Sequence, residues 1–289
     1  MSRFDPAPLL ARLRPFQRAT VDHVMARFDA GVRRFLVADE VGLGKTRVAQ
    51  GVVAQILSRR NEDDRCDIIY VCSNGAIARQ NLQILNILGD AGTLPTRLTL
   101  LNEARTTIRA SGVNFISFTP GTSFDKTGGL GVGSERALIQ NLLRGRIHHK
   151  RLSSLLHRPV RVSNWPGYLE RAQPAPGLDR HRLADALLDG GMEQGILACD
   201  LSDVESRGRV VRNLRLRLAR LALGSLCPRL VIFDEFQRFR DLFEDGANEA
   251  QCLMQDFLRQ AEKDAHVLFL SATPYKMLTL KSDTAADGD

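Results

Sequence analysis

The chain has 289 residues, 44% of them hydrophobic and 25% charged, with a formal net charge of +7. That composition belongs to a globular protein with a substantial core and excludes disordered, collagen-like and disulfide-framework classes. The longest apolar runs are strand-sized, too short to span a bilayer. The opening Met-Ser-Arg-Phe-Asp-Pro lacks the apolar core of a signal peptide. The scattered Cys66, Cys72, Cys199, Cys227 and Cys252 have neither metal-ligand nor redox spacing and suit a reducing cytoplasm.

Leu13-Arg14-Pro15-Phe16-Gln17 opens a first helix, expected over 17–29. The Gln17 amide is able to pair with an adenine edge, and equally reads as an ordinary helix start. A strand at 35–38 runs into Asp39-Glu40-Val41-Gly42-Leu43-Gly44-Lys45-Thr46, and a helix over 46–59 follows. A strand, a glycine loop, Lys-Ser/Thr and a helix together form a holder for a nucleoside triphosphate. Gly42 and Gly44 let the backbone approach the phosphates, Lys45 reaches the β- and γ-phosphates, and the Thr46 hydroxyl ligates Mg²⁺. The strict pattern asks for glycine at position 39, where this chain has Asp39.

Strands at 68–72 and 113–118 flank a helix at 76–88. Between residues 126 and 220 lie 17 Lys+Arg against 9 Asp+Glu, so all the excess positive charge falls there. This stretch reads as a mainly helical insertion. It opens with the glycine linker Gly128–Gly133, continues as a helix over Glu135–Leu156, and loops around Trp165 and Tyr168. Two further helices are expected near Asp179–Leu188 and Ser206–Leu223. Arg144, Arg146, Lys150, Arg151, Arg158 and Arg161, with the two aromatics nearby, suit phosphate contact and base stacking. The arginines of the last helix (Arg209, Arg212, Arg220) read equally well as a solvated face opposite Val211, Leu214, Leu218 and Leu221.

A strand at 230–233 ends in Asp234-Glu235, a helix is expected over 248–263, and a strand at 267–270 ends in Ser271-Ala272-Thr273. An acidic pair at such a strand end suits Mg²⁺ for Asp234 and water activation for Glu235. The alternation of strands and helices predicts an α/β fold, a parallel sheet with helices on both faces.

Taken together, Leu13–Gln17, Ala38–Thr46, Asp234-Glu235-Phe236-Gln237 and Ser271-Ala272-Thr273 resemble the N-terminal RecA-like lobe of superfamily 2 helicases and translocases. The chain is most similar to their SWI/SNF-like (DEAD/DEAH-box-like) group, where an Asp at position 39 is usual. Phe236-Gln237 departs from that family's Ala/Gly-His. The resemblance implies a RecA-like P-loop NTPase that takes ATP and Mg²⁺. It assigns Gln17 and residues 39–46 to ATP, Lys45, Asp234 and Glu235 to catalysis, and Gln237, Ser271 and Thr273 to coupling. It implies nucleic-acid contacts from Ser73, Asn74, Arg79 and Gln80 after the second strand and from Thr119 after the third; the charge of the insertion adds Arg144, Arg146, Lys150 and Arg151 to these. The implied organisation is a lobe over residues 1–125 and 221–275, the insertion at 126–220, and a linker at 276–289. DNA is the expected partner, and no membrane is expected. A second RecA-like lobe, in cis or in trans, is expected to bring the arginines that make turnover efficient. A different P-loop enzyme, or a nucleotide-gated DNA-binding or adaptor module, are the competing expectations.

Overall fold

The computed structural model describes residues 4–40, 42–61, 63–89, 92–95, 97–103, 108–109, 111–120, 130–157, 164–175, 177–239 and 249–272. Six strands form one sheet: β1 (Arg34–Ala38), β2 (Cys66–Val71), β3 (Gly92–Pro95), β4 (Val113–Phe118), β5 (Pro228–Asp234) and β6 (His266–Ser271). Their order is β1-β6-β5-β2-β4-β3, and every neighbouring pair is parallel.

The near-continuous apolar runs of the inner strands follow from burial on both faces. Ile68, Phe115, Ile232 and Leu268 point to one face, where α2 (Pro15–Asp29), α3 (Lys45–Ser58) and α4 (Gly75–Leu85) pack through Val24, Val52 and Leu82. Ile69, Ile116, Val231 and Val267 point to the other, beneath α11 (Glu249–Asp264) and its Met254 and Phe257. A short α1 (Ala7–Leu10) precedes α2.

Residues 130–224 build a separate helical core from α5 (Gly133–Leu143), α6 (His149–Leu156), α7 (Trp165–Arg171), α8 (Arg180–Leu188), α9 (Met192–Ala198) and α10 (Val204–Gly224). Helix α10 belongs to two cores. Val211, Leu214 and Leu218 pack with the insertion, whereas Ala219, Ala222 and Leu223 pack against the sheet. The expected boundary at 220/221 therefore falls inside a helix.

The expected long helix over 135–156 is two helices. The chain breaks at Gly145, whose φ of +89° suits glycine, and Arg144 bridges back to Ile147. Helix α7 replaces an expected loop, and neither α9 nor β3 was foreseen. The described end of the expected glycine linker is packed: Val132 N–H donates to Glu135 Oε2 at 2.7 Å, and Gly133 starts α5. Glu135 is fully buried. It also accepts from Thr99 Oγ1 at 2.5 Å and pairs with the equally buried Arg215 at 3.2 Å, which ties the insertion to the turn Leu98–Leu100 beside the sheet. Among the described residues no helix is long and apolar enough to cross a membrane.

Candidate nucleotide site

Three strands that end in motif residues lie side by side. β6 sits between β1 and β5, with Ala38 opposite Ser271 and Asp234 opposite Leu270. The loop after β1, the acidic pair after β5 and Ser271 thus share the carboxyl edge of the sheet, where open parallel sheets place their ligands.

The loop is built for a tight approach. Gly42 and Gly44 have φ of +87° and +80°, and Gly44 caps the N-terminus of α3. The Lys45 ammonium folds back to donate to the carbonyls of Asp39 (2.8 Å) and Glu40 (2.9 Å), so it lies within the loop. Thr46 is half-buried in the first turn of α3, Asp39 is half-buried and Glu40 exposed. Val41 lies outside the described residues.

Gln17 takes a part that its sequence context did not announce. Its Oε1 accepts from Arg14 N–H at 3.1 Å and its Nε2 donates to the Leu43 carbonyl at 2.9 Å. The amide expected to read adenine clamps the start of α2 to the glycine loop. Beside the clamp, a cavity of about 660 Å³ is lined by Phe4, Leu9, Leu13 and Ile87 with Arg12, Arg14 and Arg47. The lining is more polar than apolar, with Asp5 and Gln50 beside the three arginines, and cations next to the glycine loop suit the phosphates of a nucleotide. Of these lining residues only Leu13 and Arg14 stood out in the sequence; Arg47, directly after Thr46, is the one whose position could have drawn notice.

Asp234 is held by partners from β2 and α4. Its Oδ2 accepts from the Tyr70 hydroxyl, and Asn81 Nδ2 reaches both that hydroxyl (2.6 Å) and Oδ2 (3.4 Å). Its Oδ1 accepts from Glu235 N–H at 3.0 Å. Burial, then the Asp234 charge, raise the Tyr70 pKa above its ordinary value, so the phenol stays a donor. Glu235 has a φ of +50°, the one non-glycine in that region among the described residues. Its carboxylate forms an ion pair with Arg238 one helical turn on. Ser271 Oγ donates to Gln237 Oε1 at 3.1 Å, so two of the three expected coupling residues meet. Thr273 lies outside the described residues.

The expected nucleic-acid residues divide. Arg79 and the buried Thr119 line one groove of about 500 Å³ together with Arg97 and the insertion's Ser134. Ser73 and Gln80 are exposed near it in chain position. The Asn74 side chain caps α4, accepting from Ala76 and Ile77 N–H, which occupies its oxygen.

In the insertion several cations are structural. Arg151 donates to the carbonyls of Ile196 (2.9 Å) and Cys199 (2.6 Å) at the end of α9, and Arg146 pairs with Asp185. Arg144 and Lys150 are exposed, and Arg158 and Arg161 lie outside the described residues. Trp165 is a core residue, 5% exposed, stacked on His157 at 5.0 Å and covered by Arg136. It offers no face to a base, because the insertion needs its bulk to fill the core.

No protein-family model, curated protein or solved structure matches this chain.

Proposed function

We propose that the chain is the ATP-binding, RecA-like motor lobe of a DNA-dependent ATPase, a helicase or translocase of superfamily 2. The observation that carries this reading is the side-by-side placement of β1, β6 and β5, with the glycine loop, Ser271 and Asp234 on one edge. In that reading the base lies in the cavity beside Gln17, the phosphates meet the α3 N-terminus and Lys45, and Thr46 with Asp234 would hold Mg²⁺. Glu235 would orient the attacking water once it leaves Arg238. The Gln237–Ser271 contact would report the nucleotide state to the next strand. A second RecA-like lobe, in cis or in trans, would bring the arginines, which contribute roughly 10³–10⁵ in rate at comparable phosphoryl-transfer sites.

Calorimetric titration with ATP and Mg²⁺ tests this. Binding by the parent and a loss of about tenfold or more in a folded Lys45→Ala variant are expected; equal affinities would refute the site. A second reading, a nucleotide-gated DNA-binding module with little turnover, is favoured by the Glu235–Arg238 pair. In that case Arg238→Ala would leave hydrolysis as low as in the parent.

A further inference from the structure

Within the insertion, α5, α6 and α7 enclose a cleft of about 940 Å³ that shares no lining residue with the cavity beside the glycine loop. Its floor is apolar, with Ile147 and Leu152 buried and Leu169 half-buried. Two amides line it. Asn141 donates its N–H groups to the carbonyls of Leu169 and Ala172, both at 2.8 Å, which leaves its oxygen as the group to offer a ligand. Gln140 is 5% exposed, and its Oε1 is buried without a hydrogen-bond partner. A buried acceptor left open in a cleft wall is explained when a ligand brings the donor.

The mouth has the opposite character. Arg144, His148 and His149 are exposed there along with the acid Glu170, and Arg146 adds a cation already paired with Asp185. The N-terminus of α6 opens at the same place. No acidic residue lies in its first turn and no side chain caps it. Unsatisfied helix-start amides beside arginine favour a phosphate.

We propose that this cleft binds one nucleotide unit of a single nucleic-acid strand. The base lies against the apolar floor with the Gln140 and Asn141 oxygens on its edge, and the phosphate lies at the α6 N-terminus beside Arg144. The Gln140 and Asn141 acceptors suit the two N–H groups of an exocyclic amine, so adenine, cytosine and guanine are taken before thymine or uracil, whose pairing edge offers one N3–H flanked by carbonyls. The proposal rests on the nucleic-acid half of the function above and is independent of the ATP half.

The test uses the full chain in a Lys45→Ala background, with fluorescence anisotropy of labelled oligodeoxycytidine and oligothymidine at fixed salt. Deoxycytidine is expected to bind more tightly. Gln140→Leu should erase that preference and leave the salt slope unchanged. Arg144→Glu, at an exposed position that tolerates the change, should weaken both by about tenfold. Displacement by deoxycytidine monophosphate as effectively as by the oligomer would identify a free nucleotide as the occupant of the same site; displacement by the oligomer alone would identify a strand. If the parent binds both homopolymers alike and neither variant changes either, the cleft proposal is overturned while nucleic-acid binding stands. If the parent binds neither, both readings fail together.

Discussion

The hydroxyl of Tyr70, at the penultimate position of β2, donates to the carboxylate of Asp234 at the end of β5, the strand next to it. Asn81 from α4 completes the arrangement, so the carboxylate proposed to hold Mg²⁺ is held from two elements at once. Partners of this kind orient a ligand before the metal arrives.

Tyr70→Phe therefore keeps the fold, since the ring still fills its place, but raises the Mg²⁺ concentration needed for ATP binding by roughly 10-fold. Titrating Mg²⁺ at constant ATP measures it. An unchanged midpoint would mean that the phenol only satisfies a buried group.

Gly44 and Gln17 are also in close relation. A Cβ on Gly44 would lie 2.6 Å from Gln17 Nε2, and the φ of +80° disfavours any side chain. Gly44→Ala should cost about 1–2 kcal/mol from the backbone alone. Adding Gln17→Ala removes the clash but leaves that cost and unclamps the loop. Urea unfolding should show partial recovery in the double variant, while calorimetry shows nucleotide affinity still reduced. Full recovery of both would show that the clamp has no role.

Glu135 and Arg215 form a buried ion pair, and Arg97 lies 3.8 Å from the same carboxylate. Glu135→Ala should lower stability by about 3–5 kcal/mol, and Glu135→Gln, which still accepts from Val132 N–H and Thr99 Oγ1, should lose less. Glu135→Ala within error of the parent in urea unfolding would contradict this account.

His266 stacks on Phe28 at 4.1 Å, and its pKa lies below the ordinary 6.5, through burial first and the neighbouring Arg33 second. The folded state thus favours the neutral ring. Its contribution to stability is complete above pH 6.5 and is lost as pH falls through the depressed folded value. Thermal melts from neutral to acidic pH should fall less steeply for His266→Phe than for the parent. Parallel curves would remove His266 from the pH response.

Much of the sheet could be read directly, because β1, β2, β4, β5 and β6 are mainly apolar runs, of which β1, β5 and β6 end in Ala38, Asp234 and Ser271. β3 could not: Gly92-Thr93-Leu94-Pro95 is poor strand material, tolerated only at the sheet edge where it lies. The loop, the acidic pair and Ser271-Ala272-Thr273 are short local patterns, whereas the contact of Ser271 with Gln237 comes from the neighbouring strands β5 and β6. Tyr70 and Asp234 are 164 residues apart, and no local pattern announces a bond that only the sheet order creates. The basic insertion misled in a different way. Net charge does not distinguish an arginine facing solvent from one that closes a helix end, and Arg151 is the second kind.

Helix α10 has 21 residues, a rod of about 31 Å, with its far part in the insertion and its last turns on the sheet. Only Ser225, Leu226 and Cys227 separate it from β5, and β5 ends at Asp234. The insertion is therefore braced at two places: α10 runs unbroken toward the base of the strand that carries the acidic pair, and Glu135 and Ala175 hold it to Thr99 and Asn102. A displacement of its outer helices has a stiff route to that strand and a second one to the segment before β4.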